Sequence, residues 1–248
     1  MNNKIKKKIT IILINGLGFN KKVWYFLKKK FSKKFKISTI ELHSPKKKFK
    51  LNNELKKFIK KKSLYIPKNC ILIGWSIGGL IATLLTLKNK KNVLLLITIS
   101  SSPCFIKKKK WPGIEINQIN EMKKKLLMNY KYSIKNFLEL QKNSTNKIKI
   151  NVLYKKIISQ KKPNNLTIEF NTQILKKIDL RKKIKKIKIP IFRIYGNLDS
   201  IVPKKICKIL DKKIKKNSFI FKKSNHAPFI SDLKKCYKKI INFIKNNI

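Results

Sequence analysis

Acidic side chains are scarce. Ten Asp and Glu stand against 64 Lys and Arg in 248 residues, a formal charge of +54. Arginine is scarcer still, with only Arg181 and Arg193. A surface selected to grip nucleic acid uses more arginine, for its planar fork, and concentrates its charge. Here lysine is spread along the whole chain beside abundant Asn and Ile. All three residues have A/T-rich codons, so a biased genome accounts for the excess, and no specific nucleic-acid partner is expected. Two consequences hold whatever the origin. The compact state bears strong self-repulsion, and acidic partners are attracted at low salt.

Long apolar runs are also missing. No window holds the about 18 uninterrupted apolar residues of a membrane span, so no membrane partner is expected. Residues 1–8 are basic, but the apolar run 9–14 behind them is short for a secretory segment. It leads straight into Asn15-Gly16, as a core strand would. Cysteine is limited to Cys70, Cys104, Cys207 and Cys236, without the clustered spacing of a metal site. Two of the four lie in apolar stretches. They read as reduced thiols of a cytoplasmic protein. There is no internal repeat, and histidine occurs only as His43 and His226.

What the chain does contain is organised around Gly74-Trp75-Ser76-Ile77-Gly78-Gly79. An apolar run, 70–73, precedes it and another, 80–85, follows it. Gly-x-Ser-x-Gly between a strand and a helix is a nucleophile elbow. Its turn is so tight that side chains two residues either side of the serine would clash. Ser76 then projects from the sheet at a helix start, where free N–H groups can bind developing negative charge.

Along the chain, strands are predicted at 10–14, 35–42, 69–73 and 93–99. Helices are predicted from Asn20 to about 31, from Asn52 or Asn53 to 62, and over 77–88. His43-Ser44-Pro45 breaks the second strand. The alternation, with fully apolar strands, predicts a parallel sheet covered on both faces. From about 114 to 177 the pattern becomes helical only, which predicts an inserted lid over the strand ends. Strands then resume at 189–195 and 218–221, with helices at 203–210 and 233–244. The expected organisation is a first core part, 1–113, a helical lid, 114–177, and a second core part, 178–248. The lysine run 107–110 reads as solvated loop.

A serine nucleophile needs a base. In an elbow fold the acid and then the histidine follow the serine, so His226, after the last strand, is the candidate. Its task would be to take the Ser76 proton and return it to the leaving alcohol. The acid should leave a strand ending near that histidine. Asp199, in Tyr195-Gly196-Asn197-Leu198-Asp199, does so, although an Asx turn alone would also explain it. Asp179, Asp211 and Asp232 fit less well, and Asp232 reads as a helix cap. The tetrahedral oxyanion needs two backbone donors. These are expected at Ile77, next to the nucleophile, and at Leu17, in the loop after the first strand.

These residues resemble a known family, the pimeloyl-[acyl-carrier protein] methyl ester esterases of biotin synthesis, within the α/β-hydrolases. Beyond the elbow, the matches are Ser101-Ser102-Pro103-Cys104-Phe105, Trp111-Pro112-Gly113-Ile114 and Phe137-Leu138-Glu139-Leu140-Gln141. They continue with Asp179-Leu180-Arg181, Tyr195 to Asp199 with Val202-Pro203, and His226 to Ser231. The resemblance implies an α/β-hydrolase fold, a mostly parallel sheet with a helical lid. It implies Ser76, Asp199 and His226 as the triad, with substrate contacts at Leu17, Ile77, Phe137, Leu138, Glu139, Leu140 and Gln141. The implied reaction removes the methyl group of a pimeloyl ester on acyl carrier protein, with no metal or organic cofactor. The acidic carrier could dock on Lys131, Lys135, Lys147 and Lys149, and a monomer is expected.

The chain also departs from the family. Asn15-Gly16-Leu17-Gly18 stands where the family usually has His-Gly-Trp-Gly, which alters pocket shape but keeps the backbone donor. The usual leading strands look shortened or lost. His43-Ser44-Pro45-Lys46 replaces a Pro-Gly-rich loop. The competing readings are an α/β-hydrolase esterase of another substrate and, in another class, a basic non-catalytic polyanion binder.

Overall fold

The computed structural model of the chain describes residues 9–42, 45–141, 146–214 and 217–248. Among the described residues six strands form one sheet: β1 (Thr10–Ile14), β2 (Lys36–Ile40), β3 (Cys70–Trp75), β4 (Val93–Ile99), β5 (Ile191–Gly196) and β6 (Ser218–Phe221). Their order is β2-β1-β3-β4-β5-β6, with every neighbouring pair parallel. The predicted break at His43 and Ser44 lies outside the described residues.

The apolar strands are buried on both sides because helices cover both faces. Successive strand residues point to opposite faces. Ile11, Leu13, Ile71, Ile73, Trp75, Leu95 and Ile97 join one core cluster. Ile12, Ile14, Cys70, Leu72, Val93 and Leu96 join the other. Core helices are α1 (Tyr25–Phe31), entered through a 3-10 turn at Lys21–Trp24, α2 (Leu51–Ser63) and α3 (Ile77–Lys88). The helix expected from Asn20 is therefore split, though the Asn20 side chain does cap its start, accepting from the Lys22 N–H at 3.0 Å.

The α-helices described between β4 and β5 are α4 (Ile116–Met128), α5 (Tyr130–Leu140), α6 (Lys147–Ile158) and α7 (Asn165–Lys177). The local signal for these breaks is asparagine. Asn129, Asn146 and Asn164 each accept a backbone N–H at the start of α5, α6 and α7, satisfying donors a helix start leaves free. The insertion is tied to the core by long-range bonds. Asn20 Nδ2 donates to the Ile157 carbonyl at 3.0 Å, and Asn225 Nδ2 to the Leu140 carbonyl at 2.6 Å. The chain closes with α8 (Lys205–Lys213), α9 (Pro228–Ser231) and α10 (Leu233–Lys245). On α10, Cys236, Ile240, Ile241 and Ile244 face the core, a helical stripe that leaves the lysines outside.

All four cysteines are buried and unpaired, not only the two in apolar runs. Burial pushes the Cys70 thiol up to about 12. The 107–110 loop is less bare than expected, since Lys107 pairs with Glu115 at 2.7 Å and Lys108 with Asp179 at 3.2 Å.

Candidate active site

The strand order reverses between β1 and β3, and ligands of open α/β sheets sit outside the carboxyl ends of strands at such a switch. The loop after β1 carries Leu17. The residue after β3 is Ser76. Both are therefore set at the switch point by topology.

Ser76 sits at φ 56°, ψ −126°, outside the regions ordinary residues adopt. The surrounding backbone holds it there. Its N–H donates to the Ile99 carbonyl and its carbonyl accepts from the Gly79 N–H, both at 2.9 Å. A Cβ on Gly74 would run into the Gly78 carbonyl, and one on Gly78 into the Ile14 carbonyl. Only glycine lets β3, β1 and α3 come so close. Ile77 opens α3, so its backbone belongs to the helix start beside the serine.

His226 lies in the loop between β6 and α9. Its Nδ1 is 2.9 Å and 3.0 Å from the two Asp199 carboxylate oxygens. The Asp199 side chain is fully buried. A buried carboxylate must be compensated. Here the imidazole and two backbone donors do it, because Oδ1 also accepts from the Ile201 and Val202 N–H groups, each at 2.9 Å. The turn and the histidine contact thus coexist at Asp199. With Nδ1–H facing the carboxylate, Nε2 is left as the basic nitrogen.

The other acids are occupied elsewhere. Asp179 accepts from Arg181 Nη2 at 2.7 Å. Burial raises its pKa, but hydrogen bonds from Arg181 and Lys108 outweigh this and hold it at about 2. Asp211 pairs with the buried Arg193 at 2.8 Å. Asp232 caps α10 through the Lys235 N–H at 3.3 Å.

Ser76 and His226 line one cavity of about 390 Å³. Its walls are otherwise mainly apolar, with Phe19, Trp75, Phe105, Leu126, Phe137 and Leu175 among them. Leu17, Phe137 and Leu140 line it. Of the remaining residues of the 137–141 stretch, Leu138 is buried in the core, and Glu139 and Gln141 are outside the cavity wall. Gln141 faces the histidine loop instead. Its Oε1 accepts the Ala227 N–H at 3.0 Å while its Nε2 donates to the Phe137 carbonyl at 3.1 Å. The exposed Lys131, Lys135, Lys147 and Lys149 all lie on the insertion.

Sequence reading missed the support around the histidine. Trp75 Nε1 donates to the His226 carbonyl at 2.8 Å. The Trp75 ring packs 5.0 Å from Phe19, 5.6 Å from Phe137 and 5.3 Å from Phe229. An aromatic inside the elbow motif was the available signal, but its partner is 151 residues away.

A parallel sheet with a strained serine after β3, and a buried aspartate–histidine pair after β5 and β6, defines a class. The α/β hydrolase fold family matches over residues 9–233. The chain belongs to that family. Among its sequence relatives is the pimeloyl-[acyl-carrier protein] methyl ester esterase of Wigglesworthia glossinidia brevipalpis, 38% identical over 96% of this chain and 94% of the relative. The protein of the same name from Aliivibrio fischeri strain MJ11 is 31% identical over 89% and 88% of the two chains. Among solved structures, an esterase from Exiguobacterium antarcticum superposes with TM-score 0.81 at 17% identity, covering 97% and 93%. The enol-lactonase from Burkholderia xenovorans LB400 does so at 0.75 and 15%, covering 95% and 91%. These two likenesses speak to the fold.

Proposed function

We propose that the chain is a serine carboxylesterase that removes the methyl group of pimeloyl-[acyl-carrier protein] methyl ester. The observation that carries the reading is the buried Asp199–His226 pair opening onto the apolar cavity that also holds Ser76. The relatives' shared name supplies the substrate.

In this reading His226 Nε2 takes the Ser76 proton as the hydroxyl oxygen attacks the ester carbonyl. Asp199 holds the ring tautomer and stabilises the imidazolium. The oxyanion is met by the N–H groups of Ile77 and Leu17, each such donor being worth ~2.7–4 kcal/mol. Collapse expels methanol, which carries away the proton from His226, and leaves the acyl group on Ser76. Water then donates a proton to His226 and its hydroxide to the acyl carbon. The acid product leaves and Ser76 regains its hydrogen. No metal or organic cofactor enters.

The apolar wall suits an aliphatic acyl chain, and helices α4–α7 act as the lid. Lys131, Lys135, Lys147 and Lys149 attract the acidic carrier, an effect that weakens as salt rises. Four free buried thiols support a reducing, cytoplasmic setting. The test is turnover of carrier-bound pimeloyl methyl ester by wild type and Ser76→Ala. We expect loss of methanol release and of fluorophosphonate labelling in the variant, with unchanged melting. Unchanged turnover would refute the reading.

A further inference from the structure

The loop after β1 has a cavity on each side. Beyond Leu17 and Phe19 lies a second cavity of about 330 Å³, and these two residues line both it and the cavity of Ser76. The second cavity's wall also carries polar side chains, Asn20, Glu41, Asn164, Thr167 and Asn171. Lys161 and Lys162 also line it and are exposed.

The two shared residues are not held alike. Phe19 is pinned. Its carbonyl accepts from the Asn15 side chain, and its ring packs edge-on against Trp75 and Phe137. At Gly18, with φ +77°, a Cβ would lie 2.8 Å from Leu126, so the loop lies close against α4 there. Leu17 is only partly buried and packs against both core clusters. Its side chain has two rotatable bonds, whereas the Phe19 ring is wedged between two others.

The proposed reaction gives this partition a task. The methyl ester stands at the end of the acyl chain remote from the carrier. After Ser76 attacks, the acyl chain links Ser76 at one end to the carrier at the other. On that reading the acyl chain occupies the cavity and the attached carrier sits at its mouth. Methanol must still leave, and water must still reach the acyl carbon.

We propose that the second cavity is a solvent passage gated by the Leu17 side chain. Methanol leaves and water enters through it while the carrier stays attached. The inference rests on the Ser76 reading above. It adds no chemical step, because it only routes the alcohol released and the water consumed.

The experiment fills the outer end of the passage with Lys161→Trp and, separately, Lys162→Trp. Both sites are exposed and lie outside the Ser76 cavity wall. Each variant is assayed on carrier-bound pimeloyl methyl ester and on methyl butyrate, which leaves the mouth open. The expected result is a kcat loss of about tenfold on the carrier-bound ester, as exchange becomes limiting, with methyl butyrate turnover unchanged. Wild-type kcat on the carrier-bound ester in both variants, or equal losses on both substrates, overturns the passage.

Leu17→Ala supplies a test that needs no bulky residue. Opening the partition should raise turnover of the carrier-bound butyl ester relative to the methyl ester, and an unchanged ratio counts against the proposal. Ser76→Ala separates the two ideas. If it retains turnover, the hydrolase reading fails. If it is inactive, the tryptophan variants judge the passage alone.

Discussion

Replacing Asp199 with Asn separates the two duties of that side chain. Oδ1 holds the turn through the Ile201 and Val202 N–H groups and lies 3.0 Å from His226 Nδ1, while Oδ2 lies 2.9 Å from that nitrogen. In Asp199→Asn the amide oxygen can keep both turn bonds at Oδ1. The amide nitrogen then occupies the Oδ2 position as a donor. Two donors cannot face each other, so the ring moves its proton to Nε2 and Nδ1 becomes the acceptor. The hydrogen bond survives, but the nitrogen left for Ser76 carries a proton and cannot act as base. The matching change in serine proteases lowers kcat by about 10⁴, or ~5.4 kcal/mol. Stability should change by less than ~1 kcal/mol, because every hydrogen bond has a replacement. At this chain length that is a melting shift within ~2–4 °C. The assay pairs methyl ester turnover with thermal melting. A kcat above about a tenth of wild type would reduce Asp199 to a turn former. A collapse in melting temperature would mean the amide does not keep the turn.

Two further perturbations probe the surroundings. Gln141→Met keeps the side chain's length but removes the acceptor of the Ala227 N–H, one residue after the proposed base. Leaving that buried donor unpaired should cost ~1–3 kcal/mol and lower kcat more than it raises KM, while equal melting temperatures would show that another group takes the N–H. Asp179 titrates in the folded protein near 2 rather than at its ordinary 3.8. Its depressed pKa contributes stability that is full above 3.8 and disappears as pH falls through about 2. Melting curves of wild type and Arg181→Gln should therefore differ at pH 6 and converge between pH 4 and 2. A gap that stays constant with pH would remove the ion pair as its cause.

The sequence by itself determined the parts whose cause is local. β1, β4, β6 and α3 have the residue bounds that apolar runs and the elbow predict. A tight strand-to-helix turn admits few residue types, so Gly74, Ser76 and Gly78 declare it within five positions. The change from alternating strands and helices to helices alone marked the helical stretch between β4 and β5, because its period is written in neighbouring residues. Candidates for the acid and the base could be ordered because few acids and two histidines exist.

Tertiary structure decided what depends on distant partners. It set Asp211 against Arg193, 18 residues away, and Asp199 against His226, 27 residues away. It set Gln141 against the histidine loop, where its Oε1 accepts the Ala227 N–H, 86 residues away. It buried all four cysteines, and it placed a second cavity behind Leu17. Each of these is set by which faces meet across the sheet. A side chain's direction and the space left beside it follow from packing between segments many residues apart, and no stretch of neighbouring residues encodes that.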